Sequence, residues 1–277
     1  MSEENSQTKT SQVTDIANAV AAVTKEVPIY QDAIQPAAQE VGKALGTVAK
    51  LVNVALAPVS VLVWGYDQIK EFTATKVAKK LENIPPENII TPKPNVAGPA
   101  IEALRYTGHE ESLSEMYANL LATAMNKDTI ENAHPAFVEI IKQLTPDEAK
   151  IVNSFLKPKF RFPIVTIQSK QKGNKTIGAI NIYENYSHIG IKSGCDNHHL
   201  TPAYLNNLCR LGLCEIPSGA YYTEEHHYDE LLSSDFVKEL KRKIEDRNLD
   251  FKYQKSYLNI TALGEQFARA CINKEDI

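Results

Sequence analysis

Apolar residues recur every three to four positions through much of the chain, which is the spacing of one helix face. In residues 13–83 this rhythm predicts amphipathic and apolar helices. The preceding residues 1–12 are rich in Ser, Thr, Gln and Asn, and we expect them to form a disordered tail. Prolines crowd the stretch that ends at Pro99, and no helix tolerates that density. We therefore predict an extended linker over residues 84–98.

The helical spacing returns after the linker and predicts a helical block over residues 99–144. Thr145, Pro146 and Glu148 then form the pattern of a capping box, with an acid three residues after the cap and proline at the first helical position. A new helix, and with it a separate region over residues 145–277, is expected to begin there.

Alternation with period two replaces the helical spacing at residues 160–168 and 177–183, and it predicts a β-hairpin. Further elements are predicted after the hairpin: a helix at 201–211, a charged helix at 236–247, a short strand at 257–260 and a helix capped by Thr261. Taken together, the patterns predict an α+β fold that is mostly α.

The most unusual segment is an uncharged run over residues 51–64. It is shorter than the roughly 20 residues of an ordinary spanning helix, but it ends in aromatic residues followed by lysines, as interfacial anchors do. Two interpretations stay open: a buried core or oligomer helix, and a segment that inserts into a membrane. The candidates for membrane insertion are Leu51, Val52, Val54, Leu56, Val59, Val61, Leu62, Val63 and Trp64.

Composition and charge narrow the class of protein. The chain of 277 residues carries 30 Lys and Arg against 34 Asp and Glu, and this net charge of −4 argues against a dedicated duplex-DNA binder. A mean hydropathy of −0.30 excludes a multi-span membrane protein. The polar, acidic start does not match a secretory signal, so we expect a cytoplasmic protein with free thiols that associates with the membrane only on activation.

Sequence motifs for common catalytic sites are absent. The chain contains no phosphate-binding glycine loop, no G-x-S-x-G and no H-E-x-x-H, so we predict no enzyme activity, no catalytic residue and no cofactor. A zinc site is an open alternative, although the cysteine and histidine spacing is not a standard one, and we assign no metal ligands. The residues concerned are Cys195, His198, His199, Cys209, Cys214, His226 and His227.

A second candidate site is a basic stretch between residues 157 and 176, which contains no acid and includes Phe160 and Phe162. Such a patch suits the phosphates of nucleic acid or of anionic lipid, and the alternative is a solvated hairpin tip. Its cations are Lys157, Lys159, Arg161, Lys170, Lys172 and Lys175.

Two resemblances add to these patterns. The helix ending Leu208-Cys-Arg-Leu-Gly-Leu, and Thr261-Ala-Leu-Gly after a strand, resemble a winged-helix domain with an inserted β-hairpin. The order of elements over about residues 80–275, most clearly at 99–150, resembles the abortive infection alpha family of bacterial phage-resistance proteins. That resemblance implies anti-phage defence and no catalytic residue. The motif residues that carry it mark the fold: Pro99, Glu102, Tyr117, Leu120, His134, Pro135, Phe137, Pro146 and Glu148.

Three hypotheses follow. The leading one is a non-enzymatic abortive-infection effector whose apolar segment 44–66 enters the inner membrane on infection. The second is a winged-helix sensor or regulator that binds nucleic acid through the basic stretch and the 201–211 helix. The third is a helical scaffold that forms a homo-oligomer through residues 13–80. The sequence does not indicate which phage component is sensed.

Overall fold

The structure is a computed structural model that describes residues 64–156, 162–173 and 178–272. The predicted tail 1–12 and most of the predicted N-terminal helical region 13–83 lie outside these residues. The described chain divides into two units, one of residues 64–109 and 117–138, the other of residues 110–116 and 139–272. Its elements confirm the predicted α+β class with mostly helical structure.

The first unit opens with one helix that contains a π-helical turn. Its parts are α1 (Tyr66–Phe72), the π turn (Thr73–Val77) and α2 (Ala78–Leu81). The hydroxyl oxygens of Thr73 and Thr75 donate to the carbonyls of Ile69 and Glu71, at 2.8 and 2.7 Å. Such bonds to the preceding turn compete with the regular ladder, and they accompany the widened turn. The buried face consists of Ile69, Phe72, Val77 and Leu81.

The predicted linker 84–98 lies within this first unit and is more regular than expected. It contains a 3₁₀ turn (Pro86–Asn88) and the first residues of α3 (Pro94–Thr107). The helix begins before Pro99 because Pro94 takes its first position, where a missing N–H costs nothing. The Ile90 N–H also donates to the Met125 carbonyl, which ties the segment to the end of α4 (Glu111–Ala124). A 3₁₀ turn (Ile130–Asn132) and α5 (Ala136–Lys142) follow.

The second unit combines short helices with two antiparallel sheets. Its first elements are α6 (Pro146–Val152), β1 (Pro163–Gln171), β2 (Ile180–Tyr186), α7 (Ile189–Lys192), a 3₁₀ turn (His198–Leu200), α8 (Thr201–Arg210) and β3 (Cys214–Glu215). Its last elements are α9 (His226–Leu232), α10 (Asp235–Asp246), β4 (Leu249–Tyr257), β5 (Asn259–Ile260) and α11 (Ala262–Cys271).

The larger sheet has the order β2-β1-β4, so the predicted hairpin β1–β2 gains a third strand from far along the chain. The strand predicted from the sequence at 257–260 does not include β4, although Leu249, Phe251 and Tyr253 alternate with polar residues there. Val165 and Ile167 of β1 are buried on one face of this sheet. They form a core cluster with residues of α9 and α10: Tyr228, Leu231, Val237 and Ile244.

The smaller sheet pairs β3 with β5 directly before α11. Gly264, in the first turn of α11, is required for this close approach, because a Cβ there would lie 1.9 Å from the Leu213 carbonyl oxygen. The order α6, α8, β5 and α11 is the order that the winged-helix resemblance expects, with α9, α10 and β4 between β3 and β5. The winged-helix assignment itself stays a prediction.

Candidate functional site around Asp147

The predicted capping box at the start of α6 is confirmed in atomic detail. The Glu148 N–H donates to the Thr145 hydroxyl oxygen at 3.2 Å, and the Thr145 N–H donates to the Glu148 carboxylate at 2.7 Å. Pro146 takes the first helical position. The other carboxylate oxygen of the buried Glu148 accepts from the side-chain amide of Asn207 at 2.8 Å, so the same residue also holds α8.

Asp147, between these motif residues, is buried and accepts four hydrogen bonds. The backbone N–H groups of Asp196 and Asn197 donate to it at 2.9 Å each, the Tyr204 hydroxyl at 3.1 Å and the Lys150 ammonium at 3.2 Å. Burial alone would raise the pKa of this carboxyl, but the donors outweigh burial and lower its pKa from 3.8 to about 2. Asp147 therefore stays ionised and joins α6, the loop at 195–197 and α8.

Three titratable neighbours of Asp147 have shifted pKa values. Burial raises the pKa of Tyr204 to about 12 and that of Cys195 to about 11, and the Cys195 thiol donates to the Asp147 carbonyl. Lys150 is bound by Asp196 at 2.7 Å, which raises the lysine's pKa. Because these hydrogen bonds join α6, the loop at 195–197 and α8, the network is suited to fixing the structure of this part of the second unit.

A family model described as abortive infection alpha matches residues 65–271, a range that includes both described units. The chain belongs to the abortive infection alpha family. This confirms the resemblance predicted from the sequence, and it supports a role in abortive infection.

Other comparisons add little to the family assignment. No curated protein matches the chain. One solved structure, an uncharacterized protein from the hydrocarbon-degrading marine bacterium Alcanivorax borkumensis SK2, is 24% identical. It covers 51% of this chain and 92% of its own, with a TM-score of 0.32, and at that score the likeness supports no argument.

Most residues that carry the family resemblance have packing or capping positions in this abortive infection alpha protein. Tyr117, Leu120 and Phe137 are fully buried. His134 is exposed, and its Nδ1 accepts the Ala136 N–H at 3.1 Å at the start of α5. The remaining motif residues lie in or beside helices: Pro99 and Glu102 in α3, Pro135 before α5, and Pro146 and Glu148 in α6. Asp147 was not predicted as a site residue, because its only signal in the sequence is an acid beside the capping box.

A second series of side-chain hydrogen bonds joins β2 to α9 and α10. Glu230 contacts His188 Nδ1 at 3.1 Å, and His188 Nε2 contacts the Tyr186 hydroxyl at 3.0 Å. The Tyr186 hydroxyl in turn donates to Ser234, which caps α10. Hydrogen bonds from Lys192 and then from His188 lower the pKa of Glu230. The order acid, imidazole, hydroxyl resembles a catalytic relay, but the hydroxyl end is already engaged in capping.

The potential zinc ligands between residues 195 and 214 do not come together as a group among the residues that the structure describes. The Cys195 thiol donates a hydrogen bond to the Asp147 backbone carbonyl, whereas the sulfur atoms of Cys209 and Cys214 face each other at 3.6 Å. Within the described part of the chain, the grouping of potential metal ligands that comes together is Glu224, His226 and His227, on an exposed turn. Only the two histidines of that group were singled out from the sequence.

The basic stretch is only partly within the described residues. Lys170 is half-buried on β1, and Lys172 is exposed, with its ammonium 3.2 Å from the Asn248 side-chain oxygen. The other four cations, Lys157, Lys159, Arg161 and Lys175, lie outside the described residues. The proposed anion or nucleic-acid patch therefore stays a prediction.

Of the membrane-insertion candidates, only Trp64 is described, and it is docked on the first unit. Its backbone N–H donates to the Arg105 carbonyl at 2.9 Å, and its ring packs edge-on against that of Phe72, with centroids 5.6 Å apart. The indole also lies against Gly108, where a Cβ would be only 2.3 Å from Trp64 Cε3. In the ranges that the structure describes, no helix combines the length and apolar character needed to cross a bilayer.

Proposed function

We propose that this protein is a non-enzymatic abortive-infection effector in which the first unit holds the end of the apolar segment 51–64 at rest and releases it to act on the inner membrane. The single observation that supports this is the docking of Trp64. It is the last residue of the uncharged run, and backbone and ring contacts hold it on α1 and α3. Release of Trp64 breaks one backbone hydrogen bond and the ring contacts with Phe72 and Gly108.

The role of Gly108 makes the proposal testable without altering the apolar segment. Gly108 has helical backbone angles, so alanine fits its conformation, but the added methyl group would overlap the indole and lie 2.6 Å from the Leu104 carbonyl oxygen. Gly178 is the control, because it lies far along the chain from Trp64 and a Cβ there meets nothing within 4 Å. The pair compares an alanine that displaces Trp64 with one that does not.

The experiment is dye release from liposomes of bacterial lipid composition by the full-length protein. We expect Gly108→Ala to release more dye than the unchanged protein, and Gly178→Ala to match it. Val54→Asp and Val61→Asp should abolish release, because a charge in the apolar run opposes insertion by about 3 kcal/mol. The proposal fails if no variant releases dye and the two aspartate variants still arrest infected cells.

A second candidate is a nucleic-acid-binding sensor, and the order α8, β3, β5 favours it. Helix α8 gives this candidate less support. Its single cation, Arg210, already donates hydrogen bonds to the side chains of Gln143 and Asn207. This candidate predicts binding that weakens steeply with salt. Binding that persists after Lys170, Lys172 and Lys175 are all replaced by Glu would argue against it. The third candidate, a scaffold assembling through residues 13–80, rests mostly on residues outside the described ranges.

A further inference from the structure

Two thiols face each other where α8 ends. Cys209 lies in the last turn of α8 and Cys214 begins β3, and their sulfur atoms are 3.6 Å apart. A disulfide has a sulfur–sulfur distance of about 2.05 Å, so the two atoms must approach by about 1.5 Å to bond. Rotation about the side-chain bonds supplies a displacement of this size without unfolding the helix.

The backbone keeps the two cysteines in this position. Gly212 has a φ of +75°, which glycine adopts readily, and its N–H donates to the Cys209 carbonyl at 2.9 Å. The Leu213 N–H donates to the Leu208 carbonyl at 3.1 Å, which completes the turn that ends α8. Cys214 is then held by pairing between β3 and β5. The sulfur atoms thus meet in a fixed helix–turn–strand unit.

The two thiols are chemically unequal. Cys209 is half-buried and Cys214 is buried. Either sulfur atom can donate the hydrogen bond that joins them. With Cys214 as the donor, this bond lowers the pKa of Cys209 and, together with burial, raises the pKa of Cys214. A thiolate is the form that reacts with oxidants. Cys209 is therefore suited to attack first, with Cys214 beside it to resolve the product.

The other two cysteines, Cys195 and Cys271, serve as internal controls for thiol reactivity. Cys271 is fully buried, and burial raises its pKa well above the usual value. Cys195 is also buried, its pKa is raised to about 11 and its thiol is bound to the Asp147 carbonyl. Both are expected to react slowly in the folded protein.

We propose that Cys209 and Cys214 form a redox-reactive thiol pair that hydrogen peroxide, or a peroxide of the same class, converts to a disulfide. The Cys209 thiolate attacks one peroxide oxygen, the O–O bond breaks, and the hydroxide that leaves takes up a proton to become water. Cys214, after losing its proton, attacks the sulfur of the resulting Cys209 sulfenic acid, and a second water leaves. In total, two thiols and one peroxide give one disulfide and two waters.

The test treats the reduced full-length protein with a small excess of hydrogen peroxide and follows it by intact mass and peptide mapping. We expect a mass loss of two hydrogens and a peptide linked through Cys209 and Cys214, reversible by a dithiol reductant. Iodoacetamide on the untreated protein should label Cys209 at least about tenfold faster than Cys195 or Cys271. Labelling of all four cysteines after denaturation controls for the reagent.

Two variants separate the roles of the sulfur atoms. In Cys214→Ser, Cys209 should stop at the sulfenic acid and be trapped by dimedone, whereas Cys209→Ser should form neither product. The proposal is overturned if peroxide leaves Cys209 and Cys214 unlinked in the unchanged protein, or if Cys209 is labelled no faster than Cys271. Because those two measurements use the unchanged chain, a folding defect in a variant cannot obscure the result.

Discussion

Replacing Asp147 by Asn tests whether the buried carboxylate is a main stabiliser of the second unit. The pKa decrease from 3.8 to about 2 corresponds to about 2 kcal/mol of stabilisation at about 1.4 kcal/mol per pKa unit. Asn keeps the size of the side chain, but one of its two terminal groups is a donor that would face the N–H and O–H groups now bound by the carboxylate. We expect Asp147→Asn to lower the free energy of unfolding by about 2–3 kcal/mol at neutral pH.

The assay is urea unfolding of the full-length protein, followed by far-UV circular dichroism from about pH 7 to about pH 3. Because the folded pKa is lowered, the contribution of Asp147 is complete above the unfolded value of 3.8 and is lost as the pH falls towards about 2. The gap between Asp147→Asn and the unchanged protein should therefore narrow in acid. Asp246→Asn is the control, since Asp246 forms only an exposed ion pair with Arg242. An Asp147→Asn midpoint equal to that of the control, or a gap independent of pH, would refute the reasoning.

Three further substitutions should destabilise the second unit by different amounts, each measured by the same unfolding assay. Gly264→Ala should cost about 2–3 kcal/mol, because its methyl group would collide with the Leu213 carbonyl, and an unchanged midpoint would contradict this contact. Thr145→Ala should cost about 1 kcal/mol through loss of the α6 cap, whereas Thr145→Ser should restore most of it. Tyr228→Phe should cost about 1–2 kcal/mol, because its buried hydroxyl donates to the Ser256 carbonyl at 2.9 Å; no loss would mean that this bond contributes nothing net.

Local features of the candidate site could be predicted from the sequence, whereas its long-range contacts could not. The capping box of Thr145 and Glu148 depends on residues three apart, and the structure reproduces it. The four donors to Asp147 include the backbone N–H groups of Asp196 and Asn197, about fifty positions away. Because almost every residue has a backbone N–H, the residue types at these positions do not indicate which of them donate. The docking of Trp64 requires that residue 108 have no Cβ. A single glycine is not part of any recognisable functional motif, so the sequence does not indicate this contact.

The sequence by itself determined the hairpin β1–β2, the helices α8, α10 and α11, the cap of α6 and membership of the abortive infection alpha family. These features depend on hydrophobic periodicity and on residues a few positions apart, and both can be read directly from the sequence. The tertiary structure alone decided that β4 joins β1, that Asp147 binds the loop at 195–197, and that Cys209 faces Cys214. Such contacts depend on how the chain returns on itself, and the packing of many side chains together selects that path.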